Sequence, residues 1–390
     1  MGIKAIVSLV NCLLPKRNLI LFNSFPDFSG NAWALYSYIM QERPDIVQKY
    51  DIAWSVAKDT KRKQQEKIKQ QKKPGTGLYV KKSVSGIWTY CRARYVITTH
   101  NYFTGVKTAG RQIHINLWHG MPLKKIGTYL DGESEHDDIQ GDVTIATGEM
   151  FRQVMARAFD MEEEKVLVTG QPCNDLLFHG KNALNKIGIK KESYTKILMW
   201  MPTYRASVVG EIRSDGDKDA FGVVGVMTEE FDRLDALLKE KGYLLLIKPH
   251  PMDVICTMEL KNSENIRVVT NTRLYEKDVD LYELLGQMDG LITDYSSVYV
   301  DYLILGRPVA FLCSDLKAYE ESRGFCFPDI LSLMPGTRIY DKEGFFRYLD
   351  NMDQCNDEWK QERERLCALF YRERDGHSAK RVCDSLFKKE

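Results

Sequence analysis

Residues 290–308 read GLITDYSSVYVDYLILGRP, and this stretch decides the class of fold. Its first residues are apolar or small and end in Thr293 and Asp294, which is typical of a buried strand. Ser296 and Ser297 follow where a helix is expected to begin, since serine is favoured at helix N-termini. The stretch therefore predicts a strand, a short polar turn and a helix, which is the repeating unit of an α/β fold.

The polar residues of this stretch allow two interpretations. Backbone N–H groups at a helix N-terminus bind phosphate, and serine hydroxyls add hydrogen-bond donors. Asp301 lies about one turn further on, where a carboxylate can bind a ribose hydroxyl. The stretch is thus suited to hold a nucleotide diphosphate, although an N-capped helix at the edge of a sheet would carry the same residues.

Apolar runs of strand length alternate with helical patterns along the rest of the chain. Because these runs are almost continuously apolar, they predict parallel sheets covered by helices on both faces. They form two sets, which predicts two doubly wound domains, 1–185 and 186–390. The predicted strands are Leu19–Asn23, Asp51–Val56, Tyr95–Thr99, Ile113–Trp118, Val143–Thr147 and Val166–Thr169 in the first set, and Ile197–Met201, Tyr243–Lys248, Ile266–Val269, Gly290–Thr293 and Val309–Cys313 in the second.

The composition is that of an ordinary globular protein. Of 390 residues, 44% are hydrophobic and 28% charged, and the net charge of +1 selects neither nucleic acid nor membrane as a partner. The nine cysteines are scattered and include no C-x-x-C pair, which predicts reduced thiols rather than disulfides or a zinc site.

Four further segments lie outside these strands and motifs. Residues 3–17 have helical apolar spacing but are too short to span a bilayer, so they form either a packed first helix or an interfacial one. Residues 58–82 hold ten Lys or Arg against two acids, which is either a solvated face or a patch for anionic lipid or a phosphorylated acceptor. Residues 205–226 contain four glycines and predict a mobile surface loop. The helical, charged residues 357–389 could pack back on the first domain.

Residues 116–127, NLWHGMPLKKIG, are the first candidate catalytic motif. His119 follows a strand at the sheet edge where α/β proteins bind ligands, and its side chain can accept a proton near neutral pH. Gly120 would let a substrate approach the backbone, and Lys124 adds positive charge. A hydrogen-bonded structural histidine is the alternative.

Two further motifs end strands of the second set. Residues 243–251, YLLLIKPHP, place Lys248 and His250 at a strand end, where two cationic groups would suit a phosphate. Residues 201–205, MPTYR, offer Thr203 and Arg205 for phosphate or base contacts. The alternative for the first of these motifs is a stiff strand-end turn.

Residues 170–175, GQPCND, close the last strand of the first set. We expect Asn174 and Asp175 to shape a turn or line a site. Cys173 has no base nearby in the sequence, which argues against a nucleophilic role.

Taken together, the five motifs in this order resemble the CDP-glycerol glycerophosphotransferases of teichoic acid synthesis. The similarity runs from Asn23 to about residue 330 and includes the segment DLKAYEESRGF at 315–325. It implies a GT-B-like architecture, with two Rossmann-like domains facing a central cleft. It also implies transfer of a polyol phosphate, glycerol phosphate first, from a CDP-polyol to a hydroxyl of an undecaprenyl-diphosphate-linked saccharide. CMP would be released at the cytoplasmic side of the plasma membrane by a peripheral enzyme.

The resemblance also implies roles for individual residues. His119 corresponds to the catalytic base, and His250 to a second essential histidine at the donor phosphates. The CDP-polyol would be bound by Thr203, Arg205, Lys248, His250, Thr293, Asp294, Ser296, Ser297 and Asp301, and the acceptor side would include Gly120, Lys124, Asn174 and Asp175. We expect no cofactor and no bound metal, because Asp294 and Asp301 are too few for an octahedral Mg²⁺ site.

Two departures from the family pattern and several open choices remain. Cys173 stands where the family usually has arginine, and Met121 where it often has threonine. The sequence does not separate glycerol from ribitol donors, a primase from a polymerase, or wall polymer from capsule. Two other hypotheses are a sugar transferase of the same architecture and a non-catalytic nucleotide- or membrane-binding module.

Overall fold

The computed structural model describes residues 3–63, 76–103, 105–106, 108–130, 139–180, 182–203, 222–250, 261–353 and 357–387. The chain divides into two compact units. Unit 1 comprises Met1–Met121, Ile126–Asp175 and Tyr371–Glu390, and unit 2 comprises Pro122–Lys125 and Leu176–Phe370.

Unit 1 is built on a seven-stranded parallel sheet with the order β3-β2-β1-β4-β5-β6-β7. The strands are β1 Arg17–Asn23, β2 Asp51–Val56, β3 Thr76–Val80, β4 Ala93–Thr98, β5 Ile113–Asn116, β6 Val143–Ala146 and β7 Val166–Val168. This is the Rossmann order with one strand added, and the order reverses between β1 and β4.

Unit 2 repeats the plan with six parallel strands in the order β10-β9-β8-β11-β12-β13. The strands are β8 Lys196–Trp200, β9 Tyr243–Ile247, β10 Ile266–Val268, β11 Gly290–Thr293, β12 Val309–Leu312 and β13 Thr337–Ile339. Here the order reverses between β8 and β11. The predicted α/β class with two Rossmann-like domains is therefore confirmed.

Helices cover the faces of both sheets. Those of unit 1 are α1 Ile3–Leu13, α2 Gly30–Glu42, α3 Pro44–Lys49, α4 Val84–Arg92, α5 Glu149–Ala158 and, near the C-terminus, α16 Ser378–Leu386. Those of unit 2 are α6 Leu176–His179, α7 Ala183–Lys186, α8 Val223–Glu229, α9 Phe231–Lys241, α10 Asn271–Glu276, α11 Leu281–Leu285, α12 Val298–Tyr302, α13 Leu316–Ser322, α14 Lys342–Asn351 and α15 Lys360–Phe370.

The prediction of a loop over residues 205–226 is wrong for its last residues, 223–226. Residues 204–221 lie outside the described part of the chain, but residues 223–229 form helix α8. Val223, Val226 and Met227 occupy one face of this helix and are buried in the core of unit 2. Their i, i+3, i+4 spacing is the helical pattern that the glycines of this stretch obscured.

The chain divides between the units after Asp175, whereas the sequence placed the boundary at 185/186. Residues 176–186 belong with unit 2 because α6 packs closely on α11. A side chain at Gly286 would collide with the Leu177 carbonyl, and one at Gly180 with the backbone of Glu283. Of the C-terminal segment, helix α15 belongs to unit 2 and only residues from Tyr371 onward belong to unit 1.

Helix α1 packs one side on unit 1, as the packed-helix interpretation of residues 3–17 expects. Val7 is buried against α4 and the sheet of unit 1, and Val10 and Leu14 pack on the same cluster. The opposite side is apolar but exposed, with Ile6 48%, Leu9 51% and Leu13 72% accessible. Lys16, which only the interfacial alternative would place at lipid headgroups, donates to the carbonyls of Asn11 and Cys91 at 2.6 Å.

Two observations bear on the class of protein. None of the helices in the described residues is long and apolar enough to cross a membrane. Cys12, Cys91, Cys173, Cys313, Cys326, Cys367 and Cys383 are free thiols, as expected for these described positions.

Candidate active site

The predicted site residues follow strands at the carboxyl edge of each sheet. In unit 1, His119 comes after β5, and Thr99 and His100 come after β4, one of the two strands at the reversal of strand order. In unit 2, Thr203 and Asp294 follow β8 and β11, the two strands at the corresponding reversal. Doubly wound folds bind their ligands at these positions, where the loops of neighbouring strands separate.

His119 is held in one tautomer. Its Nδ1 lies 2.9 Å from the carbonyl oxygen of Thr99. A carbonyl can only accept, so Nδ1 carries the proton and Nε2 of the neutral ring keeps its lone pair. The geometry thus leaves Nε2 as the basic nitrogen.

The surroundings of His119 also favour its neutral form. The side chain is accessible to solvent, yet enough protein atoms surround the ring for burial to lower the pKa of His119 below its ordinary 6.5. Its hydrogen bond to Thr99 opposes this shift but is the smaller effect. His119 is therefore largely unprotonated at neutral pH, which is the state that a general base needs.

Two aromatic rings pack against the His119 imidazole. The His100 ring lies 4.2 Å away between centroids and only 6° from parallel. The Trp118 ring lies at the same centroid distance, tilted by 33°. Trp118 has a φ of 52°, which is uncommon for a residue with a side chain and turns the chain between β5 and His119.

The loop that carries His119 is fixed by Asn31, which the sequence analysis missed. The buried Asn31 side chain donates through Nδ2 to the carbonyls of Leu117 and Trp118, both at 3.1 Å, and to Gln171 at 3.3 Å. Its Oδ1 accepts from the Cys173 backbone N–H at 3.1 Å. An asparagine on the buried face of helix α2 was the available signal, since a buried amide needs partners.

Asn174 and Asp175 bind the C-terminal segment. The Asp175 carboxylate accepts from the backbone N–H groups of Ser378 and Ala379, both at 2.8 Å, and so caps helix α16. Asn174 donates to the Tyr371 hydroxyl at 3.1 Å. Both side chains are buried, and the described contacts attach the C-terminal segment to them, while their place on the acceptor side stays a prediction.

Gly120 and Lys124, the other acceptor-side residues, lie in different units. Gly120 has a φ of 144°, a conformation that side-chain-bearing residues rarely adopt. Lys124 belongs to unit 2, where it forms an isolated antiparallel bridge with Phe325. Its Nζ lies 5.4 Å from the centre of the Tyr319 ring. The lysines of the H-G-x-P-L-K motif are thus paired with the R-G-F segment, some 200 residues away.

In unit 2, Thr203 and Asp294 link the two strands at the reversal. Asp294 Oδ2 accepts from the Thr203 backbone N–H at 2.9 Å and from its hydroxyl at 2.7 Å. The Thr293 hydroxyl donates to the Met201 carbonyl at 2.8 Å. These contacts fix the loop ends on which a donor would lie. Arg205 lies outside the described residues.

Lys248 is a buried cation at the end of β9. Only 4% of the residue is accessible, and burial lowers the pKa of Lys248 to about 8. Its Nζ donates to the Pro249 carbonyl at 3.0 Å. His250, two residues on, is exposed. Among the described residues no carboxylate forms an ion pair with this ammonium. Burying an unpaired charge is costly, and an anionic ligand would remove that cost.

The TDYSS turn precedes a single helical turn. Ser296 and Ser297 are half-buried ahead of α12, and Ser296 Oγ accepts from the Val298 N–H at 3.4 Å. Asp301 is buried, and its Oδ2 accepts from the Tyr282 hydroxyl at 2.8 Å. The helix predicted to begin at Ser296 and Ser297 is short, because residues 303–305 form a 3₁₀ turn and Gly306 ends it at a φ of 66°.

Within the described part of the chain, no three His, Cys, Asp or Glu side chains lie close enough together to form a metal site.

Comparison with known proteins decides the family. The sequence profile of the CDP-Glycerol:Poly(glycerophosphate) glycerophosphotransferases matches residues 6–388. The chain belongs to this family. The resemblance carried by the five motifs is thereby confirmed, and the glycerophosphotransferase match takes in both units.

Three relatives show the range within the glycerophosphotransferases. The teichoic acid glycerol-phosphate transferase of Staphylococcus aureus (strain NCTC 8325 / PS 47) is 29% identical over 96% of this chain and 94% of its own. The teichoic acid ribitol-phosphate primase of Bacillus spizizenii (strain ATCC 23059 / NRRL B-14472 / W23) is 26% identical over 80% of this chain and 79% of its own. A solved variant of the wall teichoic acid polymerase TagF shares the fold, with a TM-score of 0.75 and 23% sequence identity. The match covers 99% of this chain and 92% of the TagF chain.

Proposed function

We infer that this glycerophosphotransferase moves a polyol phosphate, glycerol phosphate first, from a CDP-polyol to a hydroxyl of a lipid-linked saccharide in teichoic acid or capsule synthesis. Family membership supports the reaction class. The observation that carries the assignment of roles is the Nδ1 hydrogen bond of His119 to Thr99, which leaves Nε2 to take a proton.

The reaction balances without a further reactant. The acceptor hydroxyl gives its proton to His119 Nε2, and its oxygen forms a bond to the phosphorus that carries the polyol. The bond from that phosphorus to the oxygen shared with the cytidylyl phosphate breaks, and CMP leaves with the electron pair. A positioned base of this kind contributes about 10²- to 10⁴-fold in rate.

The donor is assigned to unit 2. Lys248 and His250 would face the diphosphate, and Ser296 and Ser297 would add donors. Bound phosphate favours the charged form of Lys248, so the ammonium would stabilise the charge that develops on departing CMP. We assign Asp301 to the nucleotide end, where its contact with Tyr282 would orient it.

Release of CMP tests the function directly. Purified protein is incubated with a lipid-linked disaccharide and CDP-glycerol, CDP-ribitol or a UDP-sugar, and CMP and product mass are measured. We expect CMP with a CDP-polyol and a product heavier by one or more polyol phosphates; the number of units separates a primase from a polymerase. Release of UDP with transfer of a sugar would favour the sugar-transferase alternative.

Two variants separate the roles of the units. His119→Ala should lose turnover by at least about 10²-fold while CDP-glycerol binding is kept. Ser297→Ala should weaken donor binding instead. Near-normal turnover of His119→Ala would refute the base assignment.

Excess EDTA should leave the rate of CMP release unchanged, whereas a loss of rate that Mg²⁺ restores would refute a metal-independent reaction.

The same proposal includes peripheral attachment at the cytoplasmic face of the plasma membrane. Helices α1 and α4 pack side by side, and both leave apolar residues exposed: Val84 is 87% and Trp88 50% accessible. The Arg92 guanidinium lies 5.7 Å from the Trp88 ring centre. Exposed apolar residues beside tryptophan and basic side chains are typical of interfacial helices.

Flotation with vesicles tests this surface. Vesicles with anionic lipid should bind the wild-type protein, and Leu9→Glu should reduce binding. Leu369→Glu, at a 44% accessible leucine of α15 in unit 2, is the matched control and should bind normally. Equal binding by all three proteins would exclude the α1–α4 surface. Vesicle binding without CMP release from any acceptor would favour the non-catalytic alternative.

A further inference from the structure

His100 makes the flattest ring contact in the neighbourhood of His119. Its imidazole lies 4.2 Å from that of His119 at 6° from parallel, a stacking arrangement that fixes the plane of the second ring. His100 is itself held from two sides. Its Nδ1 lies 2.9 Å from Thr99 Oγ1, and the Phe25 ring packs edge-on at 5.7 Å.

Thr99 connects the two histidines. Its carbonyl accepts from His119 Nδ1, and its hydroxyl bonds to His100 Nδ1. Thr99 is buried directly after strand β4, so both histidines are hydrogen-bonded to a residue that the sheet holds in place. The hydrogen bond to Thr99 fixes the Nδ1 edge of the His119 ring, but the ring could still rotate about that bond and move Nε2. The His100 ring stacked on its face prevents this rotation.

Burial first, and neighbouring charges second, keep His100 neutral. Burial, the neighbouring His119 and the Lys81 ammonium lower the pKa of His100 to about 3. Lys81 is paired with Asp27 Oδ1 at 2.7 Å. His100 therefore does not take the proton itself at neutral pH, and it adds no charge that would repel a protonated His119.

We propose that His100 is a positioning residue for the catalytic base: its ring, stacked on His119, keeps Nε2 directed to the acceptor hydroxyl. This rests on the proposed function, which assigns His119 as the base. The stacked ring carries the role, and the His100 nitrogens do not take part in the chemistry.

Two variants separate the ring from its hydrogen bond. His100→Phe keeps a flat ring, and His100→Asn keeps a polar partner for Thr99 but has no ring. We expect His100→Phe to retain kcat, and His100→Asn to lose about 2- to 10-fold in kcat, the range of an aromatic pair, with KM for CDP-glycerol unchanged. His377→Ala, at an exposed histidine of unit 1, is the control and should behave as wild type.

A second measurement does not depend on turnover. The ¹⁵N NMR spectrum of the histidines should show His119 protonated on Nδ1 in the wild type and in His100→Phe. In His100→Asn the Thr99 carbonyl still keeps the proton on Nδ1, but the pKa of His119 should rise towards 6.5 because the ring is less buried. The acid limb of kcat/KM should move to higher pH accordingly. Thermal melting of each variant shows whether it is folded.

The outcomes are distinct. Full kcat and an unchanged His119 spectrum in His100→Asn would overturn the proposal, as would activity in His100→Asn combined with loss in His100→Phe. If the wild-type protein releases no CMP, or if His119→Ala stays active, the proposed function fails, while the NMR comparison still tests whether His100 orients His119.

Discussion

Replacing Asn31 by alanine should displace the loop that carries His119, although Asn31 does not contact the His119 side chain. Asn31 makes four hydrogen bonds, three buried and one partly buried, and three of them come from one amide group that has two hydrogens. At about 1 kcal/mol per bond, and with the three donated bonds sharing two hydrogens, the loss is about 3 kcal/mol. The Leu117 and Trp118 carbonyls would also lose a partner, which loosens the loop ahead of His119.

Thermal unfolding and steady-state kinetics measure both effects. A loss of about 3 kcal/mol should lower the Tm of the transition that includes unit 1 by about 6–12 °C. If the loop shifts by about 1 Å, kcat should fall by about 10- to 100-fold, with little change in KM for CDP-glycerol.

Asn265→Ala is the matched control. The Asn265 side chain is also buried but makes one bond in unit 2, to the Tyr243 carbonyl at 2.7 Å. Its removal should cost about 1 kcal/mol and leave kcat unchanged. If Asn31→Ala costs no more than Asn265→Ala and keeps full kcat, Asn31 does not support the His119 loop.

Three other substitutions have defined outcomes. Lys248→Met should weaken CDP-glycerol binding, measured by calorimetry, yet raise the free energy of unfolding at pH 7 by up to about 3 kcal/mol. Because the pKa of Lys248 is lowered from 10.5 in the unfolded state to about 8 in the folded state, the wild-type protein gains this stability as pH rises from 8 to 10.5. A stability difference that stays constant over this pH range would refute the argument that Lys248 is a buried cation. Gly127→Ala should cost about 2–4 kcal/mol of unfolding free energy, since φ is 50° and the new Cβ would collide with the Ala158 carbonyl; Gly30→Ala, with positive φ but open space, should cost clearly less. Asp175→Ala should uncap α16 at a cost of about 1–2 kcal/mol and make residues after 370 exchange hydrogen faster, and unchanged exchange there would argue against the cap.

Strands buried on both faces were predictable from the sequence. All eleven predicted strands are present within a few residues, because runs such as YLLLI at 243–247 have no polar face to confuse their pattern. Of the strands in the described residues, β3 and β13 were not predicted, and both lie at sheet edges. Every residue of β3 is half-buried, so TGLYV carries neither a continuous apolar run nor an alternation.

The positions of the candidate residues followed from the strand ends, but their partners did not. Lys124 pairs with Phe325, and Asp175 with Ser378, across about 200 residues each. Local periodicity contains no information about such pairs, which form only when the sheets are complete. For the same reason Asn31 and His100 were not recognised: each acts through a neighbour that is distant in sequence or lies on another strand.

The apolar stripe on helix α1 also contains a thiol. Cys12 is exposed, whereas of the other described cysteines Cys326 is half-buried and the rest are buried. A polarity-sensitive fluorophore attached to Cys12, in a chain with Cys256 and Cys355 changed to serine, would therefore sit beside Leu9, its i−3 neighbour on the helix. Its emission would report in real time whether this side of the helix leaves water when vesicles are added, and a quencher placed at a known depth in the bilayer would measure how far it enters.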